Sequence, residues 1–235
     1  MKNLLLYFLL CCSTILVPSC KDKYHITGTA YDGEVADGAQ IHIKQEINGE
    51  WHTLNSCEIL HGNFSMEGDV DTTLLTALFI DDIPTQPLVL EGGKIEVSIQ
   101  PQIIRITGTE HNDKLNEFII YKERMENHLA KLYREMNSTA TTTNDNTKQT
   151  AIQDSITTAM HRFRSGIEAF ILDNHHTLLG PCVFRLLCST LPSPSMTPQI
   201  VRLTSNAPDK FLNSPYVKAY MEKAQKNSNN QSDKK

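Results

Sequence analysis

The hydrophobic period of this chain changes once, near residue 109, and that change limits the fold more than any single motif. From Tyr24 to Gly108 apolar residues alternate with polar ones, as in Ile26-Thr27-Gly28-Thr29-Ala30-Tyr31 and Ile41-His42-Ile43-Lys44-Gln45-Glu46-Ile47. A period of two belongs to strands with one buried face. Asn48-Gly49, His61-Gly62-Asn63 and Glu91-Gly92-Gly93 supply turns, because Asn and Gly tolerate positive φ. Pro84, Pro87 and Pro101 mark places where strands are expected to be interrupted. The pattern predicts seven or eight short strands in an antiparallel β-sandwich over residues 24–108.

After Thr109 the apolar residues recur every three or four positions. Leu115, Phe118, Ile119, Met125, Leu129, Leu132 and Met136 form one stripe; Ile152, Ile156, Ala159, Phe163, Ile167, Phe170 and Ile171 form a second. Two long helices paired as a hairpin are expected, with Asn112 or Asp113 capping the first. The Thr- and Asn-rich stretch from Ser138 to Lys148 reads as an exposed, flexible loop between them. Gly180-Pro181, Thr197-Pro198 and Ser214-Pro215 predict the openings of three shorter helices. The first of these, apolar nearly all round, is expected to be the most buried. The fold class is therefore α+β, with a helical domain over 109–226 and a disordered tail over 227–235.

The first nineteen residues read as a signal rather than as structure. Lys2, an apolar run from Leu4 to Val17, and Pro18-Ser19 before Cys20 follow the bacterial lipoprotein pattern, and the run is too short to span a bilayer. Cys20 is the expected lipid attachment site and residues 20–23 the tether. Two or three acyl chains on Cys20 give lasting attachment, since each buried methylene contributes about 0.8 kcal/mol. The membrane is then a partner through lipid alone. Lys21 follows the cysteine in place of the aspartate that marks inner-membrane retention, so the outer membrane is expected, facing either the periplasm or the cell surface.

Charge and cysteine usage narrow the function. There are 22 Lys and Arg against 27 Asp and Glu, a formal charge of −5, and loss of the signal removes one base and no acid. Nothing here provides the basic footprint that nucleic acid requires. Beyond the signal and Cys20, three cysteines remain: Cys57, Cys182 and Cys188. Cys182 and Cys188 stand about 9 Å apart along a helix axis, too far to bridge. The histidines, His175-His176, His42 and His52 among them, lack metal-ligand spacing, so no metal or other cofactor is expected. His175 and His176 are placed to complement a helix C-terminus, and Asp81-Asp82 to form a solvated turn. No hydrolase or phosphate-binding motif is present, and an enzyme is not expected. With 7% aromatic residues and one Trp, a protein contact in the envelope is favoured over a glycan platform.

Four stretches in order carry a family likeness. They are Ile26-Thr27-Gly28-Thr29, Gly62-Asn63-Phe64, Leu90-Glu91-Gly92-Gly93-Lys94-Ile95, and Ile106-Thr107-Gly108 with Asn112-Asp113-Lys114-Leu115-Asn116-Glu117-Phe118. With them the chain resembles the N-terminal region of thiol-disulfide oxidoreductase lipoproteins of Bacteroidota. The resemblance implies a sandwich of unknown function, a helical segment, and then a thioredoxin-like domain with W-C-x-x-C, before which this chain stops. No C-x-x-C occurs after Cys20, so the family's redox activity is carried by no residue here. Asp71-Thr72-Thr73 and Asp154-Ser155-Ile156 resemble the O-glycosylation acceptor pattern of exported proteins in this group. Thr72 and Ser155 are the positions concerned. The expectation is a non-catalytic, lipid-anchored envelope protein serving as a binding or scaffolding module. The alternative is an accessory to periplasmic thiol-disulfide exchange, acting with a separate thioredoxin-like protein.

Overall fold

Eight strands precede six helices in a computed structural model that describes residues 21–31, 35, 37–142 and 146–232. The strands are β1 (Asp22–Ala30), β2 (Gln40–Ile47), β3 (Glu50–Glu58), β4 (Asn63–Val70), β5 (Leu74–Ile80), β6 (Ile83–Leu90), β7 (Gly93–Gln100) and β8 (Ile103–Thr107). The helices are α1 (Glu110–Thr142), α2 (Asn146–Asp173), α3 (Leu179–Ser189), α4 (Pro198–Thr204), α5 (Asp209–Leu212) and α6 (Pro215–Ser232). The class is α+β, as the change of period requires.

The strands form two four-stranded sheets, ordered β4-β1-β7-β8 and β3-β2-β5-β6. Every ladder is antiparallel except β1 with β7, which run parallel from Tyr24↔Gly93 to Ala30↔Ile99. Tight turns fix the register where the sequence places them. Asn48 and Gly49 take φ of 54° and 88° between Ile47 and Glu50, the left-handed geometry that the hairpin twist favours. Pro101 sits in the β7–β8 turn, as expected. Pro84 and Pro87, however, interrupt nothing: both lie inside β6, opposite Phe79 and Ala77. That strand is the outermost of its sheet, where a missing N–H leaves no ladder bond unmade.

The first sheet alternates cleanly, with Ile95, Val97 and Ile99 buried and Lys94 and Glu96 exposed. The second is covered twice. Leu78, Leu88 and Leu90 enter the sandwich core with Ile26, Ile41 and Ile43, whereas Val89 and Leu75 pack with the helices. Asn112 locks this join. Its side chain donates to the Val89 carbonyl at 2.8 Å and accepts from the Val89 N–H at 2.9 Å. It therefore does not cap α1, which begins earlier at Glu110. Asp113 instead accepts from the Gly108 N–H at 2.8 Å, ahead of the first turn.

Three further expectations are corrected. The supposed loop at Ser138–Lys148 is helical on both sides, α1 reaching Thr142 and α2 starting at Asn146, while 143–145 lie outside the described residues. Ser and Thr cost a helix only a few tenths of a kcal/mol each, and their hydroxyls bond back to it, as Ser138 does to Glu135 and Thr150 to Asn146. The tail is likewise ordered as far as Ser232. There Asn227 donates to the Pro194 carbonyl at 2.8 Å. Finally, α3 opens at Leu179, whose N–H bonds the Thr177 hydroxyl, so Gly180 lies inside it. Thr197 caps α4 as predicted, accepting from Ile200 with Pro198 in the first turn, and α3 is the deeply buried helix that its composition implies.

Candidate functional site

The apolar stripes of α1 and α2 face each other, and close approach sets their spacing. A Cβ on Gly166 would stand 2.1 Å from the Tyr121 hydroxyl, which donates to the Arg162 carbonyl at 2.9 Å. Phe118 and Phe170 meet at 4.6 Å between ring centres. Behind them α3 is fixed by Phe184, whose ring contacts Phe211 at 5.6 Å and Tyr220 at 5.5 Å. The seven-residue α4 is stapled to α2 by two contacts. Arg202 forks onto Glu168 at 2.8 and 3.0 Å, and Gln199 donates to the Arg164 carbonyl at 3.4 Å. The guanidinium holds the Glu168 carboxyl below the ordinary carboxylate range.

These four helices leave a groove of about 660 Å³ between the hairpin and α3–α4. Its floor is apolar, built by Phe118, Phe163, Ile167 and Leu187, and it runs along α1 as far as Leu129. Its rim carries Lys122, Glu126, Arg164 and Arg202. Lys122 is bound to Glu126 at 2.8 Å. Phe163 and Leu129 therefore line an opening rather than a sealed core, although their place in the stripes reads as interior.

A second cluster joins the two halves. Arg185 of α3 pairs with Glu46 of β2 at 2.5 Å and lies over the rings of Trp51 and Tyr216, 5.5 and 5.6 Å from their centres. Trp51 meets Phe79 edge-on at 5.1 Å, and the Lys44 ammonium lies over the Phe79 ring, 4.6 Å from its centre. Here cation–π contact and an ion pair act together across the join.

The sequence-predicted positions do not converge on either place. Cys20 and the signal segment lie outside the described residues. Thr72 is exposed in the β4–β5 turn. Ser155 is exposed on α2, its hydroxyl donating to the Ala151 carbonyl at 2.8 Å, and it stands well beyond the first turn. All three thiols are free. Burial pushes Cys182 and Cys188 up to about 12 and also raises Cys57. The His175 ring does not serve the end of α2: it is 7% exposed, tilted against Phe211 at 4.4 Å between ring centres, and burial lowers its pKa. His42 and His52 face Ser56 and Gln45 in the β2–β3 ladder and do not meet. Asp81 and Asp82 form the β5–β6 turn, as expected, with Asp81 accepting from the Gln40 N–H. Among the described residues no group of three His, Cys, Asp or Glu is placed to hold a metal ion. No helix among them is long and apolar enough to cross a membrane.

The architecture is that of a β-sandwich domain carrying a grooved helical appendage. Residues 24–115 match the family model described as Domain of unknown function (DUF4369), so the N-terminal part, all but the first two residues of β1 through the start of α1, is a domain of that description. Neither the curated proteins nor the solved structures hold a match to this chain. The motifs that carry the likeness have structural tasks. Phe64 lies over Gly28 so closely that a Cβ there would stand 2.0 Å from the ring. Gly108, at φ 101°, passes the Lys94 carbonyl with no room for a side chain. Glu91 accepts from the His111 N–H at 3.2 Å and pairs with its ring at 2.7 Å. The four stretches thus build the cross-strand contacts and the strand-to-helix junction.

Proposed function

We propose that this chain is a lipid-anchored protein of the bacterial outer membrane in which the helical half is a binding module. The groove carries this reading. Its apolar floor, its charged rim and its stapled wall suit the capture of an apolar ligand segment, and small-molecule sites are concave and mostly apolar in the same way. The anchor rests on the segment ending at Cys20, and the outer membrane on Lys21 beside it. Common ancestry of the sandwich with the oxidoreductase lipoproteins rests on the order of the four motifs. Thiol exchange by its own cysteines is the weaker reading, because a thiolate is the reactive form and burial opposes it at Cys182 and Cys188.

The test uses the full chain in intact cells. Radioactive palmitate is expected to label the wild type and not Cys20→Ser; equal labelling overturns the anchor. A photo-reactive residue replacing Leu129 is expected to give a discrete adduct, and one replacing Glu96 on the solvated sheet face none. The same outcome from both positions overturns the module.

A further inference from the structure

We infer that a short tether seats one end of the sandwich on the bilayer, with the Asp71–Thr73 turn resting on zwitterionic lipid headgroups. This deepens the anchor reading above, on which it rests, by naming the face that meets the lipid surface. Covalent geometry carries the inference. From Cys20 to Asp22, where β1 begins, the chain advances two residues and spans at most about 7 Å. The headgroup layer of one leaflet is itself about 5–7 Å thick. No slack remains to lift the strand clear of it.

Peeling of β1 to lengthen the tether is opposed by its ladder. Asp22 and Lys23 pair with Val70 and Asp69, and Tyr24 and Val70 are buried in the sandwich core. The same ladder brings the following turn to the anchor: the Lys21 ammonium lies 3.5 Å from the Asp71 carboxylate, and Thr72 is the next residue. From the β6–β7 turn, Gly92 approaches Asp22 so closely that a Cβ there would stand 2.5 Å from the Asp22 Cβ. Lys21, Asp22, Asp71, Thr72, Thr73 and Gly92 are all exposed. These six residues carry charges of both signs and no large apolar side chain. Immersion in hydrocarbon is therefore costly, whereas a layer of lipid phosphates and ammonium groups matches them.

The experiment uses the full chain, acylated at Cys20 and reconstituted in vesicles of phosphatidylethanolamine and phosphatidylcholine with a small fraction of headgroup-nitroxide lipid. A fluorescent residue replaces either Thr72 or Ile83, which is 68% exposed beyond the opposite end of β5, about 20 Å away. Position 72, within reach of the headgroups, is expected to lose about half of its emission and position 83 none. A Gly-Ser linker of about twelve residues inserted before Lys21, adding a reach of roughly 20 Å, is expected to restore emission at position 72. Equal quenching at both positions, or quenching at 72 that survives the linker, would overturn the docking. A chain that incorporates palmitate but is unquenched at 72 overturns the docking and leaves the anchor standing; a chain that incorporates none overturns both.

Discussion

A histidine's charge depends on what surrounds it, and His175 shows this most clearly. Burial against Phe211, with a smaller push from His176, lowers its pKa, so the folded chain favours the neutral ring. The unfolded chain takes up the proton near about 6.5. Below that pH the unfolded state binds more protons, so this contribution to stability is intact above about 6.5 and is lost as pH falls toward the folded value. Urea midpoints measured from pH 8 downward should fall less steeply for His175→Leu than for the wild type. Equal slopes would show that the ring does not titrate with unfolding. The residue was visible in the sequence but its role was not, because its neighbour Phe211 comes from another helix. Cys182 and Cys188 were legible as packing groups, since their spacing and apolar surroundings already placed them in a buried helix.

At the scale of elements, Gly166 sets two opposing effects against each other. Ala in its place gains about 1 kcal/mol of helix propensity. Its methyl would collide with the rigid Tyr121 ring, and overpacking of this kind costs about 1–3 kcal/mol. The second effect is expected to win. Gly166→Ala should be destabilised by roughly 1 kcal/mol in urea unfolding, with the Tyr121–Arg162 bond lost; a stabilised variant would mean that the helices separate without penalty. Helix ends and strand interruptions were the least legible features. Ser and Thr between Ser138 and Lys148 look like a loop because their propensities are weak, yet pairing with the opposite helix outweighs that. Pro84 and Pro87 look like breaks because an inner strand excludes them, but only sheet order reveals an edge.

Across the whole molecule, sandwich and helices share surfaces through Val89, Leu75, Asn112 and the Arg185–Glu46 pair. They are expected to unfold together. Trp51, the only tryptophan, lies beside Arg185 at the join, so its emission reports contact between the halves. Its transition in urea should coincide with that of the far-ultraviolet dichroism, which is dominated by the helices. Separate midpoints would make the halves independent units. One sign of the join was legible: β5, Leu-Leu-Thr-Ala-Leu-Phe-Ile, is apolar without alternation, the pattern of a strand buried on both faces. The sequence alone determined the two periods, the hairpin turns and the hairpin of long helices, since these depend on local geometry and residue type. Tertiary structure alone decided the parallel β1–β7 pair and the groove, because each depends on which distant surfaces meet.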